Sequence, residues 1–167
     1  EDRSAARPPM GSTTTAWEWR PERPHNATAR VRVVACTLIR NQAARVREWV
    51  RFHQYQGISE FTIYDDASTD GPRLRAALSG LPTRLVPWNR SLHCPTDRSA
   101  KNHMAPCQRA AFADCMRREM GLKRTFTWLG LFDVDEFFFS PASSLTNVLA
   151  EVASRGVVAV GCVAREF

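Results

Sequence analysis

The run Val31-Arg32-Val33-Val34-Ala35-Cys36-Thr37-Leu38 is β-branched and almost continuously apolar, as a strand buried on both faces must be. It begins an alternation. Asn41 and Gln42 open a stretch in which Val46, Trp49, Val50 and His53 recur at helical spacing, and Gly57 ends it where a C-terminal cap belongs. A second strand, Glu60 to Tyr64, runs into Asp65-Asp66-Ala67-Ser68-Thr69-Asp70-Gly71, followed by a helix from about Pro72 to Leu78 that Ser79-Gly80 stops. The same reading predicts a strand at Thr83 to Pro87, a polar loop over 89–106 and a helix at Cys107 to Met120. A strand from Thr127 to Phe132 ending at Asp133, a helix from Leu145 to Arg155 and a last strand from Val157 to Val163 complete it. Strands alternating with helices predict an α/β fold, a mostly parallel sheet with helices on both faces.

Residues 1–29 are rich in Pro, Ser, Thr and Arg, with Trp17 and Trp19 as their main apolar content, and read as a poorly ordered leader or stem. Order is expected from Arg30 onward, as one domain, since 167 residues hold one good core and not two comfortable ones. No apolar run approaches the roughly 20 residues that span a bilayer. The chain opens on Glu1 without a Met-led signal, so a membrane anchor is expected only outside it. The net charge of +6 comes from scattered arginines without interleaved aromatics, which argues against a nucleic-acid partner.

Five cysteines cannot all pair within one chain. Cys36 and Cys162 lie in apolar strand-like runs and read as buried small hydrophobes, whereas a disulfide among Cys94, Cys107 and Cys115 suits an oxidising compartment. The sequons at Asn26 and Asn89 agree with a secretory route. A zinc site from His93, Cys94, His103, Cys107 and Cys115 lacks a Cys-x-x-Cys knuckle.

Chemistry concentrates in two acidic segments. In Trp128-Leu129-Gly130-Leu131-Phe132-Asp133-Val134-Asp135-Glu136-Phe137 a buried strand delivers three carboxylates and the chain then returns to apolar residues. Acids crowded among aromatics are costly to ionise together unless a cation joins them. In an extended segment Asp133 and Asp135 point the same way, toward one ion and a diphosphate, and oxygen ligands suit Mg²⁺ or Mn²⁺ better than zinc. The same residues also suit an acidic turn with Glu136 and Ser140 as caps. The second segment, Tyr64 to Gly71, puts Asp65 and Asp66 at the carboxyl end of a parallel strand, where open α/β sheets bind ligands. Its Asp, Ser, Thr and Gly are equally turn formers. His53 reads as a packed histidine, and Trp49 and Trp128 as core.

The stretch Val34 to Asn41, Glu48-Trp49-Val50, His53, Gly57, Phe61 to Asp66 and Ser68-Thr69-Asp70, followed by Cys107-Gln108, Ala113-Asp114-Cys115 and Trp128 to Phe138, resembles the start of the family 92 glycosyltransferases and their family 2-like relatives. That resemblance implies a Rossmann-like GT-A fold, a nucleotide-sugar donor, UDP-linked, a glycan or glycoprotein acceptor, and Mn²⁺ or Mg²⁺ as cofactor. It implies that Thr37, Arg40 and Asn41 flank the donor pocket and that Asp65 or Asp66 contacts the uridine or ribose. Asp133 and Asp135 then form a DXD metal site, with Asp135 the direct ligand. Inversion and a membrane-anchored place in the Golgi lumen go with it. One position departs, since the family carries Asn-Glu where this chain has Asn41-Gln42. Such domains run on past the strand that follows the DXD motif, so this would be a partial GT-A domain with its acceptor site and base beyond Phe167. The alternatives are a non-catalytic sugar-nucleotide-binding module and a nucleotidyltransferase on a related sheet, the latter without a Gly-rich phosphate loop here.

Overall fold

The computed structural model of the chain describes residues 31–94, 104–120, 127–140, 144–157 and 160. Four strands, β1 (Arg32–Ile39), β2 (Glu60–Asp65), β3 (Thr83–Pro87) and β4 (Thr127–Leu131), form one sheet in the order β3-β2-β1-β4. Every pairing is parallel, with Ile39 opposite Asp65, Asp65 opposite Pro87 and Cys36 opposite Leu131. The carboxyl ends therefore share one edge of the sheet.

Alternation along β1 explains why Val33 to Ile39 are buried on both faces. Val33, Ala35 and Ile39 join a core with α1 (Val46–Tyr55), α2 (Gly71–Leu78) and α5 (Leu145–Ser154), through Trp49, Val50, Leu74, Leu78, Leu145 and Leu149. Val34, Cys36 and Leu38 face the other way, against Cys107, Ala111 and Cys115 of α4 (Met104–Met120). Helices cover both faces, as expected. At the amino end Arg32 ties three elements together, its Nε donating to Glu60 Oε1 at 2.6 Å and its Nη1 to Glu119 Oε2 at 2.7 Å.

Several boundaries differ from the sequence reading. The first helix starts at Val46, after a turn over 43–45, although it buries the expected Val46, Trp49, Val50 and His53. Gly57 does end it, at φ +100°. The polar stretch 89–106 is not one loop. It holds a short helix, α3 (Arg90–His93), capped by the Asn89 side chain accepting from Ser91 N–H, and the beginning of α4. Cys36 is buried but not free, being disulfide-bonded to Cys115, and Cys94 pairs with Cys107. Packing β1 against α4 puts the two sulfurs of the first pair side by side, which no local pattern reveals. Both bonds also consume the sulfurs a zinc site would need. The leader over 1–29 lies outside the described residues, as does the last predicted strand except for Val157 and Val160, which carry no regular structure.

Candidate functional site

Of the four segments that leave the carboxyl edge, those after β1, β2 and β4 carry the expected residues, and each holds itself differently. After β1, Arg40 is exposed and Asn41 takes a left-handed φ of 56°, which asparagine tolerates better than most residues. Its N–H donates to Ser68 Oγ at 2.9 Å, and its Oδ1 accepts from Thr69 N–H at 2.7 Å and Thr69 Oγ at 3.1 Å. Ala43 N–H donates to Asp70 Oδ2 at 3.0 Å. The loops after β1 and β2 are thus stitched together through Asn41, Ser68, Thr69 and Asp70.

After β2, Asp65 Oδ1 accepts from Ser68 N–H at 3.0 Å and Ala67 sits at φ 53°. The turn-forming reading of this segment is therefore realised. Asp66 is 1% exposed, its N–H donating to Ile39 O at 2.9 Å. Its carboxylate is gripped by Arg90 of α3, Nη2 to Oδ2 at 2.5 Å and Nε to Oδ1 at 3.4 Å. A buried carboxylate needs such a partner, because an isolated charge there is strongly disfavoured. Thr37, opposite Ile63, lies beneath the edge rather than on it: it is fully buried, and among the described residues its Oγ has no hydrogen-bond partner.

After β4, residues 134 and 135 form a turn, not the extended segment expected. Glu136 Oε2 accepts from Asp133 N–H at 2.9 Å while Glu136 N–H donates to Asp133 O at 3.1 Å, closing the four residues on themselves. Val134 is buried beneath the turn, Asp133 is half-buried, and Asp135 and Glu136 are exposed. The reason is local: Glu136 reaches back three residues to a free N–H, as in a capping box, and Val134 anchors the loop by burial. Gln108 of α4 donates its amide to Asp133 Oδ1. Burial, then the charges of Glu136 and Asp135, hold the Asp133 carboxyl above the ordinary aspartate range, against the opposing pull of Gln108.

The fold thus brings Arg40, Asn41, Asp65, Asp66, Asp133 and Asp135 to one edge. Arg90 and Gln108 contact the two acidic segments, a role the sequence does not show: Arg90 lies in a polar stretch without a period, and Gln108 belongs to the stretch that carries the resemblance but points to no partner. Among the described residues no three His, Cys, Asp or Glu side chains converge into a metal cage. The turn still fits Mg²⁺ or Mn²⁺ held in the manner of nucleotide sites, where one or two carboxylates act and phosphates supply the remaining oxygens. Its all-oxygen set and the raised Asp133 suit that arrangement.

Residues 31–160 match the model of glycosyltransferase family 92. A glycosyltransferase family 92 protein of Ricinus communis is 32% identical over 126 residues, covering 75% of this chain and 19% of the relative. One of Arabidopsis thaliana is 28% identical over 128 residues, with 74% and 19% covered. One of Oryza sativa subsp. japonica is 31% identical over 120 residues, with 68% and 17% covered. The chain thus spans 17–19% of the length of these relatives. No solved structure matches it.

Proposed function

The chain belongs to glycosyltransferase family 92, and from that premise we propose that the carboxyl edge of its sheet binds a UDP-linked sugar with Mn²⁺ or Mg²⁺ for transfer, with inversion, to a hydroxyl of a glycan or glycoprotein. The observation that carries the reading is the strand order. From β1 the chain steps outward through β2 to β3, then returns to place β4 on the opposite side of β1. Open α/β sheets bind ligands at such a reversal, in the crevice outside the carboxyl ends. Here the reversal falls between β1 and β4, with Arg40 and Asn41 following the first strand and the turn Asp133 to Glu136 following the second.

In this reading the diphosphate lies toward the turn and the nucleoside toward β2. Asp133 and Asp135 offer carboxylate oxygens to the cation, and Gln108 holds the Asp133 carboxylate in place. A divalent cation bound there neutralises phosphate charge and stabilises the departing nucleoside diphosphate. Arg40 adds a positive charge beside the phosphates. Asp65 is better suited than Asp66 to accept from a ribose hydroxyl, because Arg90 already occupies the oxygens of Asp66. Two formed disulfides support a place in the oxidising secretory pathway, with the Golgi lumen as the compartment proposed.

Titration of the full-length protein with UDP and UDP-sugars, with and without Mn²⁺, tests the reading. Asp135→Asn is expected to abolish the Mn²⁺-dependent part of the binding and leave the fold intact. Undiminished Mn²⁺-dependent UDP affinity in that variant refutes the assignment.

A further inference from the structure

The acidic turn is held in place by α1, and not by Asp133 to Glu136 alone. Indole Nε1 of Trp49 donates to Glu136 O at 3.0 Å, imidazole Nε2 of His53 accepts from Phe138 N–H at 2.9 Å, and Gln56 Oε1 accepts from Ser140 N–H at 3.4 Å. Donors and acceptors therefore sit at positions 49, 53 and 56 on one helical stripe, and their partners at every second residue of the following segment. A helix advances about 1.5 Å per residue and an extended chain about 3.3 Å, so seven helical residues run nearly alongside four extended ones. The alternation of exposed Phe137, half-buried Phe138 and exposed Phe139 agrees with an extended run.

The same side chains hold the other flank. The rings of Trp49 and His53 lie 5.4 and 4.8 Å from Phe132, the residue just before Asp133. Trp49 and His53 are fully buried, and Gln56 is 6% exposed. Buried polar groups are normally satisfied, and these three are satisfied by the backbone of 136–140. His53 Nδ1 faces Trp49 O at 2.8 Å, and a carbonyl can only accept, so the proton sits on Nδ1 and leaves Nε2 to receive Phe138 N–H.

We propose that Trp49, His53 and Gln56 are positioning residues for the turn Asp133 to Glu136, gripping it on both sides so that its carboxylates meet the cation in one geometry. This rests on the reading of the turn as the cation site. Supports one step removed from a metal are worth about tenfold to a hundredfold in metal affinity, and that scale is expected here.

The test uses the full-length protein and two variants. His53→Phe keeps a ring and loses the acceptor, whereas His53→Gln puts an amide oxygen near the place of Nε2. In His53→Phe the Mn²⁺ requirement for UDP binding should shift to about tenfold higher concentration or more, while metal-free UDP affinity stays unchanged. The Phe138 amide should exchange faster with solvent deuterium, and His53→Gln should recover most of both properties. An unchanged Mn²⁺ dependence in His53→Phe overturns the inference alone. Parallel loss of metal-free binding also overturns it, as the mark of a merely structural role. Wild-type UDP binding indifferent to Mn²⁺ overturns the site reading and the inference with it. Should His53→Phe fail to fold, Trp49→Phe removes the donor to Glu136 O and is read by the same Mn²⁺ titration.

Discussion

Acidification should unlatch this domain through His53. Burial, opposed in part by the bond to the Trp49 carbonyl, lowers the His53 pKa from 6.5 to about 4. The unfolded chain thus takes up a proton near pH 6.5 and the folded chain only near pH 4. Above pH 6.5 both states are neutral at this site and its contribution is fully present. As pH falls through the window from 6.5 to 4 the unfolded state binds more protons and stability is lost. That interval is worth about 3.5 kcal/mol in full at about 1.4 kcal/mol per unit, and about 3 kcal/mol by pH 4, where the folded ring is half-protonated, without discount for screening because the ring is fully buried. The structural cost is visible: a proton on Nε2 sets a donor against the Phe138 N–H. Urea unfolding of wild type and His53→Gln, followed by tryptophan fluorescence at pH 7, 6, 5 and 4, isolates the effect. Other groups that titrate between pH 7 and 4 are common to both proteins and cancel in the difference. Wild type should lose about 3 kcal/mol more than the variant between pH 7 and 4. Parallel stability curves would refute the reasoning.

Replacing Cys36 and Cys115 together by alanine releases a cross-link of 79 positions and should cost about 4–5 kcal/mol, against about 3 kcal/mol for the 13-position link between Cys94 and Cys107. Equal losses in urea melts would show that loop closure is not what the bonds contribute. Asn41→Ala should destabilise by about 1–2 kcal/mol through the bonds to Thr69, whereas Asn41→Asp keeps the accepting oxygen and should hold its melting temperature. Asp66→Asn should lower the melting temperature by removing the buried charge that pairs with Arg90, while Asp133→Asn should not lower it, since it relieves repulsion from Glu136 and Asp135. A melting loss in Asp133→Asn as large as that in Asp66→Asn would contradict this division.

The parts of the fold legible in the sequence are those where periodicity and burial coincide. Thr83–Pro87 is found where it was expected, and the apolar stripe Val46, Trp49, Val50 and His53 is buried as its spacing requires. The helix start was misplaced because Asn41 is taken up in cross-loop bonds to Ser68 and Thr69, a contact 27 or more residues away that no local signal encodes. Helix α3 escaped notice because four residues have no period to read. The disulfide partners of Cys36 and Cys94 needed the packing of β1 and α3 against α4 to be known first. In the acidic segment, a period of two predicted shared orientation for Asp133 and Asp135, but a turn won because Glu136 could close on Asp133 N–H while Val134 stayed buried. Both readings put the same carboxylates at the same edge, so the location was legible where the geometry was not.

The two acidic segments also differ in how their charge is balanced, and this bears on which of them takes the cation. Asp66 is buried and ion-paired with Arg90, so a cation added there would have to displace a guanidinium already within 2.5 Å. Asp133 has a neutral partner, the Gln108 amide, and among the described residues no Lys or Arg pairs with it. Its neighbours Asp135 and Glu136 add negative charge and no compensation. Electrostatic energy therefore favours an incoming cation at the turn after β4, where it relieves repulsion, over the segment after β2, where it would create it. The polarity of the proposed donor follows from this asymmetry. In the proposed site the phosphates would lie where a cation relieves repulsion, and the uncharged nucleoside where the acids already accept from Arg90 and from backbone N–H groups.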